Sequence, residues 1–133
     1  MPKPEQNLWK SLKQHLPKKT HVNRIENRSG SGMPDVYLVM DGVACFVELK
    51  VINKNKVKIS ESQTAWHLSH ARCGGVSFFL LRGARDKEAL LYKSADCLAL
   101  CGPRLTWPEP IIAVPLPLMP EAIRNAAAEA TAF

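Results

Sequence analysis

The first apolar pattern in the chain has helical spacing, and its members are Leu8, Trp9, Leu12 and Leu16. Pro4 and Glu5 precede it, and a proline followed by an acid is typical of a helix N-terminus. Pro17 follows it, and proline has no backbone N–H with which to continue a helix. The pattern therefore predicts an amphipathic helix from Pro4 to Leu16.

The clearest strand signal lies further along, where two β-rich runs flank Asp41-Gly42. Asp-Gly is a preferred dipeptide of two-residue hairpin turns, so the pattern predicts a hairpin of Val36 to Met40 and Val43 to Val51. Both faces of these strands are largely apolar, which indicates a central position in the sheet. A shorter alternating run predicts a preceding strand from His21 to Glu26.

The rest of the chain continues to alternate between helix and strand signals. Ser60 and Gln63 have the spacing of a capping box and open a helix that runs to about Cys73. The remaining predicted elements are a buried strand at Val76 to Leu81, a short edge strand at Ala89 to Tyr92, a short helix at Ala95 to Leu100 and a terminal helix at Glu121 to Ala132.

Six prolines between Gly102 and Pro120 forbid a long helix there and predict an extended arm packed over the domain. Taken together, the elements predict an α/β fold with a mixed central sheet flanked by helices.

Composition places this pattern in the globular class, because 46% of the 133 residues are hydrophobic. That share excludes a wholly disordered or fibrous chain. The net charge of +6 is unevenly distributed: 12 Lys or Arg accompany 6 Asp or Glu up to Arg72, and the remainder has 6 of each. A one-sided basic excess is typical of a protein with a polyanion partner, with nucleic acid first and an anionic membrane surface second.

The four cysteines, Cys45, Cys73, Cys97 and Cys101, are too sparse for a disulfide scaffold, so we expect reduced, buried thiols. No apolar run reaches the length of a membrane span, and charged residues interrupt the first 16 residues, where a signal peptide would be apolar. These features predict a soluble protein of a bacterial or phage-infected host cytoplasm.

The predicted hairpin brings two acidic side chains together. With a two-residue turn at Asp41-Gly42, Asp35 faces Glu48. Directly opposed Cβ atoms lie about 4.5–5.5 Å apart, and Lys50 projects on the same face as Glu48 because side chains two apart share a face. Two carboxylates at this separation repel each other unless a cation neutralises them.

The expected cation is Mg²⁺ or Mn²⁺, because hard ions bind oxygen ligands and keep several waters. Asp35 and Glu48 are the predicted ligands, and the backbone carbonyl of Leu49 is a further candidate. A hydrated metal beside Lys50 is equipped for phosphodiester hydrolysis, since the metal activates a bound water while the lysine orients the nucleophile or stabilises added negative charge. In the alternative interpretation, Asp35 caps a strand end and Glu48 forms a salt bridge with Lys50.

These residues resemble a known group of nucleases. Gly32-Met33-Pro34-Asp35, followed by Glu48-Leu49-Lys50 at the end of an apolar strand, is similar to the PD-(D/E)XK nuclease superfamily. Within it, the chain resembles the VRR-NUC (virus-type replication-repair nuclease) family through the segments Arg28 to Asp35, Phe46 to Lys50 and Ser60 to Trp66. The resemblance extends from about Glu5 to Leu81.

The resemblance implies a restriction-endonuclease-like domain over residues 1–101, with the proline-rich arm and terminal helix of 102–133 packed on it. It implies that Asp35 and Glu48 hold the metal and that Lys50 assists the attacking water. Stand-alone members of the family are dimeric, structure-specific endonucleases that act on branched DNA such as four-way (Holliday) junctions. The resemblance therefore implies this activity, this substrate and a homodimer.

Two further positions have two interpretations each. Glu5 lies on the apolar face of the first helix, about 20° from Leu16 on a helical wheel, which directs it inward or toward a site. In related nucleases a first-helix glutamate contributes to the metal site, whereas the alternative is an N-terminal acid favoured by the helix dipole. Gln63 matches the motif glutamine of the family, and it is equally explained as the capping partner of Ser60.

The candidate phosphate contacts are Arg24, Arg28, Lys54, Lys56 and Lys58, which flank the proposed site in the sequence. A solvated loop with scattered charge is the alternative for the lysines. A zinc site would draw on His67, His70, Cys73, Cys97 and Cys101, but their spacing does not match paired CxxC or HxxxH motifs. The rival functions are a catalytically silent nucleic-acid-binding module and a restriction-type or flap endonuclease.

Overall fold

The computed structural model describes residues 4–25 and 31–131 of the chain. Within these ranges the α-helices are α1 (Pro4–Lys13), α2 (Glu61–Arg72), α3 (Cys97–Leu100) and α4 (Met119–Thr131). The strands are β1 (His21–Arg24), β2 (Val36–Met40), β3 (Val43–Ile52), β4 (Ser77–Gly83), β5 (Glu88–Lys93) and β6 (Ile112–Pro115). Short 3₁₀ turns cover Ser94–Asp96, Arg104–Thr106 and Leu116–Leu118.

The described strands form one sheet in the order in which they occur in the chain. β3 and β4 are parallel, and each of the other neighbouring pairs is antiparallel. The parallel pair is joined by α2, because parallel neighbours require a crossover connection rather than a tight turn. The predicted α/β fold with a mixed central sheet flanked by helices is confirmed.

The hairpin of β2 and β3 has the predicted register, with Met40 opposite Val43 and Tyr37 opposite Phe46. The two turn residues, Asp41-Gly42, have φ values of 51° and 77°. A type I′ turn requires positive φ at both positions. The turn fixes the register, and the register decides which side chains share a face of the sheet.

The two faces of the sheet are covered by different helices. On one face, α1 and α4 pack against buried residues of β2 and β3 that include Leu38, Val47 and Leu49. On the other face, side chains of α2 and α3 pack with buried residues of β4 and β5. Along β3, Glu48 and Lys50 alternate with Val47 and Leu49. Their side chains therefore point to the other face of the sheet, which α2 covers.

The proline-rich segment contributes a strand that the sequence did not predict. β6 pairs with β5, so β5, predicted as an edge strand, lies inside the sheet and β6 forms the edge. The stretch is extended, as its prolines indicate, but it joins the sheet as a strand instead of lying over the domain as an arm. An edge strand tolerates Pro115 because one side of its backbone has no ladder hydrogen bonds to lose.

Residues beyond Leu100 also supply core side chains. Leu116, Met119 and Ile123 are buried in the cluster beneath β2 and β3. α4 begins with Pro120 in its first turn, where the missing N–H of proline costs no intrahelical hydrogen bond. The segment is therefore continuous with the core of the sheet.

Three further sequence predictions are corrected. α1 ends at Lys13 rather than Leu16, since the residue before a proline is disfavoured in the helical conformation. β1 ends at Arg24, and Glu26 lies outside the described residues. All four cysteines are free: two are buried as expected, whereas Cys73 and Cys101 are exposed. In the described ranges no helix is both long and apolar enough to cross a membrane.

Candidate active site

Asp35 lies directly before β2, where the ladder with β3 ends at the pair of Val36 and Val47. Its Oδ2 atom accepts a hydrogen bond of 2.9 Å from the backbone N–H of Leu49. This bond fixes the carboxylate over β3, beside the side chain of Glu48. The predicted meeting of Asp35 and Glu48 is therefore present in the structure.

The loop before Asp35 packs directly on the first turn of α2. Gly32 has a φ of +79°, and a Cβ atom at this position would overlap the carbonyl group of Ser62. Glycine meets both constraints, because it adopts positive φ without strain and has no side chain. Gly32 thus joins the loop that carries Asp35 to the helix that carries Gln63.

Glu48 is 1% exposed and forms a hydrogen bond with the side chain of Asp35. Burial raises the pKa of Glu48 from 4.5 to about 10, and the hydrogen bond and negative charge of Asp35 act in the same direction. The positive charges of Lys50 and Arg24 oppose this shift. Without a cation, Glu48 therefore holds a proton at neutral pH.

Lys50 is also buried, at 8% exposure, and its Nζ donates a hydrogen bond of 2.8 Å to Oε1 of Gln63. The same oxygen accepts the backbone N–H of Ser60 at 3.0 Å, while the hydroxyl of Ser60 accepts the backbone N–H of Gln63. Gln63 therefore occupies both of its predicted positions. It completes the capping box of α2 and holds the ammonium group of Lys50.

His67 is a neighbour of the site that sequence reasoning missed. It is fully buried, and its Nε2 lies 3.3 Å from Oε1 of Glu48. Burial, followed by the charges of His70 and Lys50, lowers the pKa of His67 to about 4, so the ring is neutral at pH 7 and the contact is a hydrogen bond. Gln63, His67 and His70 recur at intervals of four and three along one face of α2, a signal that could have placed His67 against the sheet.

The donor set fits a hard divalent cation. A buried carboxyl beside a second carboxylate retains a proton, and a cation can take the place of that proton. The N–H and C=O of one strand residue point to the same side, so the Leu49 carbonyl is expected on the side of Asp35. No group of three or more His, Cys, Asp or Glu side chains in residues 4–25 and 31–131 has the arrangement of a metal site. Few protein ligands and several waters are typical of Mg²⁺.

The predicted phosphate contacts lie at different distances from this site. Arg24 is exposed at the end of β1, with its guanidinium 5.7 Å from the ring centroid of Trp9, and its charge reaches Glu48. Lys58 lines an open groove of about 500 Å³ together with Lys50 and Gln63. Lys54 and Lys56 are exposed in the turn after β3, and Arg28 lies outside the described residues.

Glu5 is half-buried in the first turn of α1. That helix packs on the sheet face opposite to Glu48 and Lys50, and a role for Glu5 as a metal ligand stays a prediction. The histidines considered for zinc have serine partners instead: His67 Nδ1 lies 2.6 Å from Ser94 Oγ, and His70 Nδ1 lies 2.9 Å from Ser77 Oγ.

Comparison with known proteins finds likeness only among solved structures, and it is distant. No protein-family model matches the sequence, and no curated protein matches it. Among solved structures, the chain resembles Hjc of Archaeoglobus fulgidus, a Holliday junction resolvase from an archaeal hyperthermophile. The two are 18% identical, with a TM-score of 0.49 over 68% of this chain and 73% of that chain. At this distance the function has to be inferred from the residues of the chain itself.

Proposed function

We propose that this protein is a metal-dependent, structure-specific DNA endonuclease of the VRR-NUC type within the PD-(D/E)XK superfamily. The observation that carries the proposal is the buried carboxyl pair of Asp35 and Glu48, with the ammonium group of Lys50 on the same face of β3 and held by Gln63. The α/β core with a mixed sheet is the arrangement that the resemblance of the motifs implies.

Asp35, Glu48 and the Leu49 carbonyl are the groups that would hold Mg²⁺ or Mn²⁺. Such an ion would lower the pKa of a bound water and offset negative charge on the scissile phosphate. Lys50 supplies a second positive charge, which is part of the protein itself. Its ammonium group is held in place by the 2.8 Å hydrogen bond to Gln63. An ammonium group fixed in a buried position can orient the attacking water or stabilise the negative charge that develops on the phosphate.

Basic side chains beside the site suit the phosphodiester backbone. Lys58 borders it, the charge of Arg24 reaches Glu48, and Lys54 and Lys56 extend the positive charge along the turn after β3. Phosphate contacts of this kind position DNA without reading its sequence, which favours recognition of shape over recognition of bases. Branched DNA such as a four-way junction is the proposed substrate. A homodimer is the proposed assembly, because two symmetric cuts need two active sites.

The test is cleavage by the purified full chain in Mg²⁺ or Mn²⁺ of a four-way junction, a flap, single-stranded DNA and plain duplex. We expect cleavage of the junction, loss of cleavage in Asp35→Asn, Glu48→Gln and Lys50→Met, and retained DNA binding in all three. Two exposed residues provide matched controls, Lys87→Met and Glu109→Gln, which should cleave like the wild type. Wild-type protein that binds DNA but cuts none of these substrates would refute the enzyme and support a silent binding module.

A further inference from the structure

A chain of hydrogen bonds leads away from Glu48 through the interior of the protein. The ring of His67 contacts Glu48 through Nε2 and Ser94 through Nδ1. The hydroxyls of Ser94 and Ser77 lie 2.5 Å apart, and Ser77 in turn lies 2.9 Å from Nδ1 of His70. The four groups from Glu48 to Ser77 are each at most 5% exposed. Water has little access to them, so their hydrogen bonds have to be made within the protein.

The polar hydrogens along this series of hydrogen bonds can be counted. A neutral imidazole has one N–H and one acceptor nitrogen, and a serine hydroxyl donates one hydrogen bond. When Glu48 binds a cation it is a carboxylate and can only accept, so the N–H of His67 has to be on Nε2. Nδ1 is then an acceptor and receives a hydrogen bond from the hydroxyl of Ser94. Ser94 accepts from Ser77, and Ser77 accepts from the N–H of His70.

We infer that His67 is a positioning residue for the metal site: its Nε2–H donates to Glu48 and aims that carboxylate, and Ser94, Ser77 and His70 hold the ring in the required tautomer. The inference rests on the proposed metal-dependent function, because it assigns a role toward the cation that Glu48 would bind.

The ring of His67 has little freedom to turn away. It stacks on Phe79 with a centroid distance of 4.1 Å and an interplanar angle of 26°. Because the ring plane is fixed, the direction of its N–H is fixed as well. Partners that orient a metal-binding side chain typically account for about 10–100-fold in metal affinity or activity.

The far end of the chain is held equally firmly. The ring of His70 stacks on Trp66 at 4.4 Å, and a Cβ atom on Gly75 would overlap it. Gly75 therefore leaves the space into which His70 fits. The donor that begins the hydrogen-bond chain is fixed by packing, in the same way as the ring at its other end.

Two amide substitutions at His67 separate positioning from packing. The amide nitrogen of glutamine reaches the place of Nε2, whereas the shorter asparagine reaches only the place of Nδ1. His67→Gln should keep the donor to Glu48 and bind Mn²⁺ within about threefold of the wild type, while His67→Asn should bind it about 10–100-fold more weakly. Mn²⁺ titration of the full chain by electron paramagnetic resonance measures both, and thermal unfolding shows whether the variants are folded. Equal Mn²⁺ affinities in wild type and His67→Asn would overturn the inference.

A second measurement observes the tautomer of the His67 ring directly. The ¹H–¹⁵N correlation pattern of the His67 ring in the wild type at saturating Mg²⁺, where Glu48 is a carboxylate, identifies the protonated nitrogen, and we expect Nε2. Ser94→Ala removes the donor to Nδ1, so it should loosen the orientation of the ring and weaken Mn²⁺ binding less than His67→Asn does. A ring protonated on Nδ1 in the wild type would contradict the assignment.

The outcomes distinguish this inference from the proposed function. Protein that binds Mn²⁺ with the expected variant pattern but cuts no DNA would refute the nuclease and leave the positioning role intact. Protein that cuts junctions but binds Mn²⁺ unchanged in His67→Asn would do the reverse. Wild-type protein that binds no Mn²⁺ at millimolar concentration would overturn both.

Discussion

The buried carboxyl of Glu48 should make the metal-free protein less stable than a variant without it. On folding, the pKa of this group rises from 4.5 to about 10. The folded protein therefore binds one more proton than the unfolded chain between these values, and its stability falls as the pH rises through that range. In Glu48→Gln the position is neutral at every pH, so this dependence disappears.

The magnitude at pH 7 follows from the distance between pH 7 and the unfolded pKa of 4.5. At about 1.4 kcal/mol per pH unit, the free energy of unfolding of the wild type is about 3 kcal/mol lower at pH 7 than it would be without this ionisation. Glu48→Gln has no such loss. For a chain of this size that corresponds to an increase in melting temperature of about 10 °C. The amide of the variant can still donate to Asp35 and accept from His67, so both hydrogen-bond partners of Glu48 keep a contact.

Urea unfolding in EDTA at pH 5, 6, 7 and 8 measures this difference. The advantage of Glu48→Gln over the wild type should be small at pH 5 and grow by about 1.4 kcal/mol with each unit. Glu129→Gln changes one exposed carboxylate on α4 and should give no such slope. Saturating Mg²⁺ should then stabilise the wild type and not Glu48→Gln. A difference that is zero, or that stays constant from pH 5 to 8, would show that Glu48 is ionised in the folded protein and refute the reasoning.

Three other predictions concern the loop before Asp35, the DNA contacts and the C-terminal segment. Gly32→Ala forces the loop before Asp35 away from Ser62, so junction cleavage should fall by more than tenfold in a cleavage assay. Gly42→Ala at the open hairpin turn is the control, because it also places a side chain at positive φ but meets no neighbouring atom. If about six phosphates are contacted, the logarithm of DNA affinity should fall with the logarithm of salt concentration at a slope near −5, and Lys58→Ala should reduce that slope by about 1; a slope near zero in filter binding would contradict a DNA partner. Truncation after residue 101 removes β6 and the buried side chains of α4, so circular dichroism should show loss of the cooperative unfolding transition, and a truncated chain that melts like the wild type would contradict this packing.

The local elements were predictable wherever short-range chemistry decides them. The Asp41-Gly42 turn fixed the register of β2 and β3, and the capping box at Ser60 fixed the start of α2. The meeting of Asp35 and Glu48 followed from that register. Each of these follows from a local signal: a two-residue turn sets the strand register that pairs Asp35 with Glu48, and a capping motif sets a helix start.

The elements that were misjudged depend on distant partners. Ile112–Pro115 is a strand because β5 offers it a free edge, and the prolines around it indicate only that it is not a helix. The sequence indicates His67 only as a possible zinc ligand, because its helical position does not show that Glu48, Ser94 and Phe79 surround it. Their contacts join positions that are 12 to 27 residues apart.

The sequence by itself determined the carboxylate pair, the lysine beside it and the basic half of the chain, because turn chemistry, strand alternation and charge act over short distances. Only the tertiary structure decided how strongly the pair is buried, which groups surround it and where the proline-rich segment goes. The physical reason is that desolvation, which raises the pKa of Glu48, depends on everything packed around a group. The hydrogen-bond chain through His67 likewise exists only because α2, β4 and the turn after β5 enclose one buried volume.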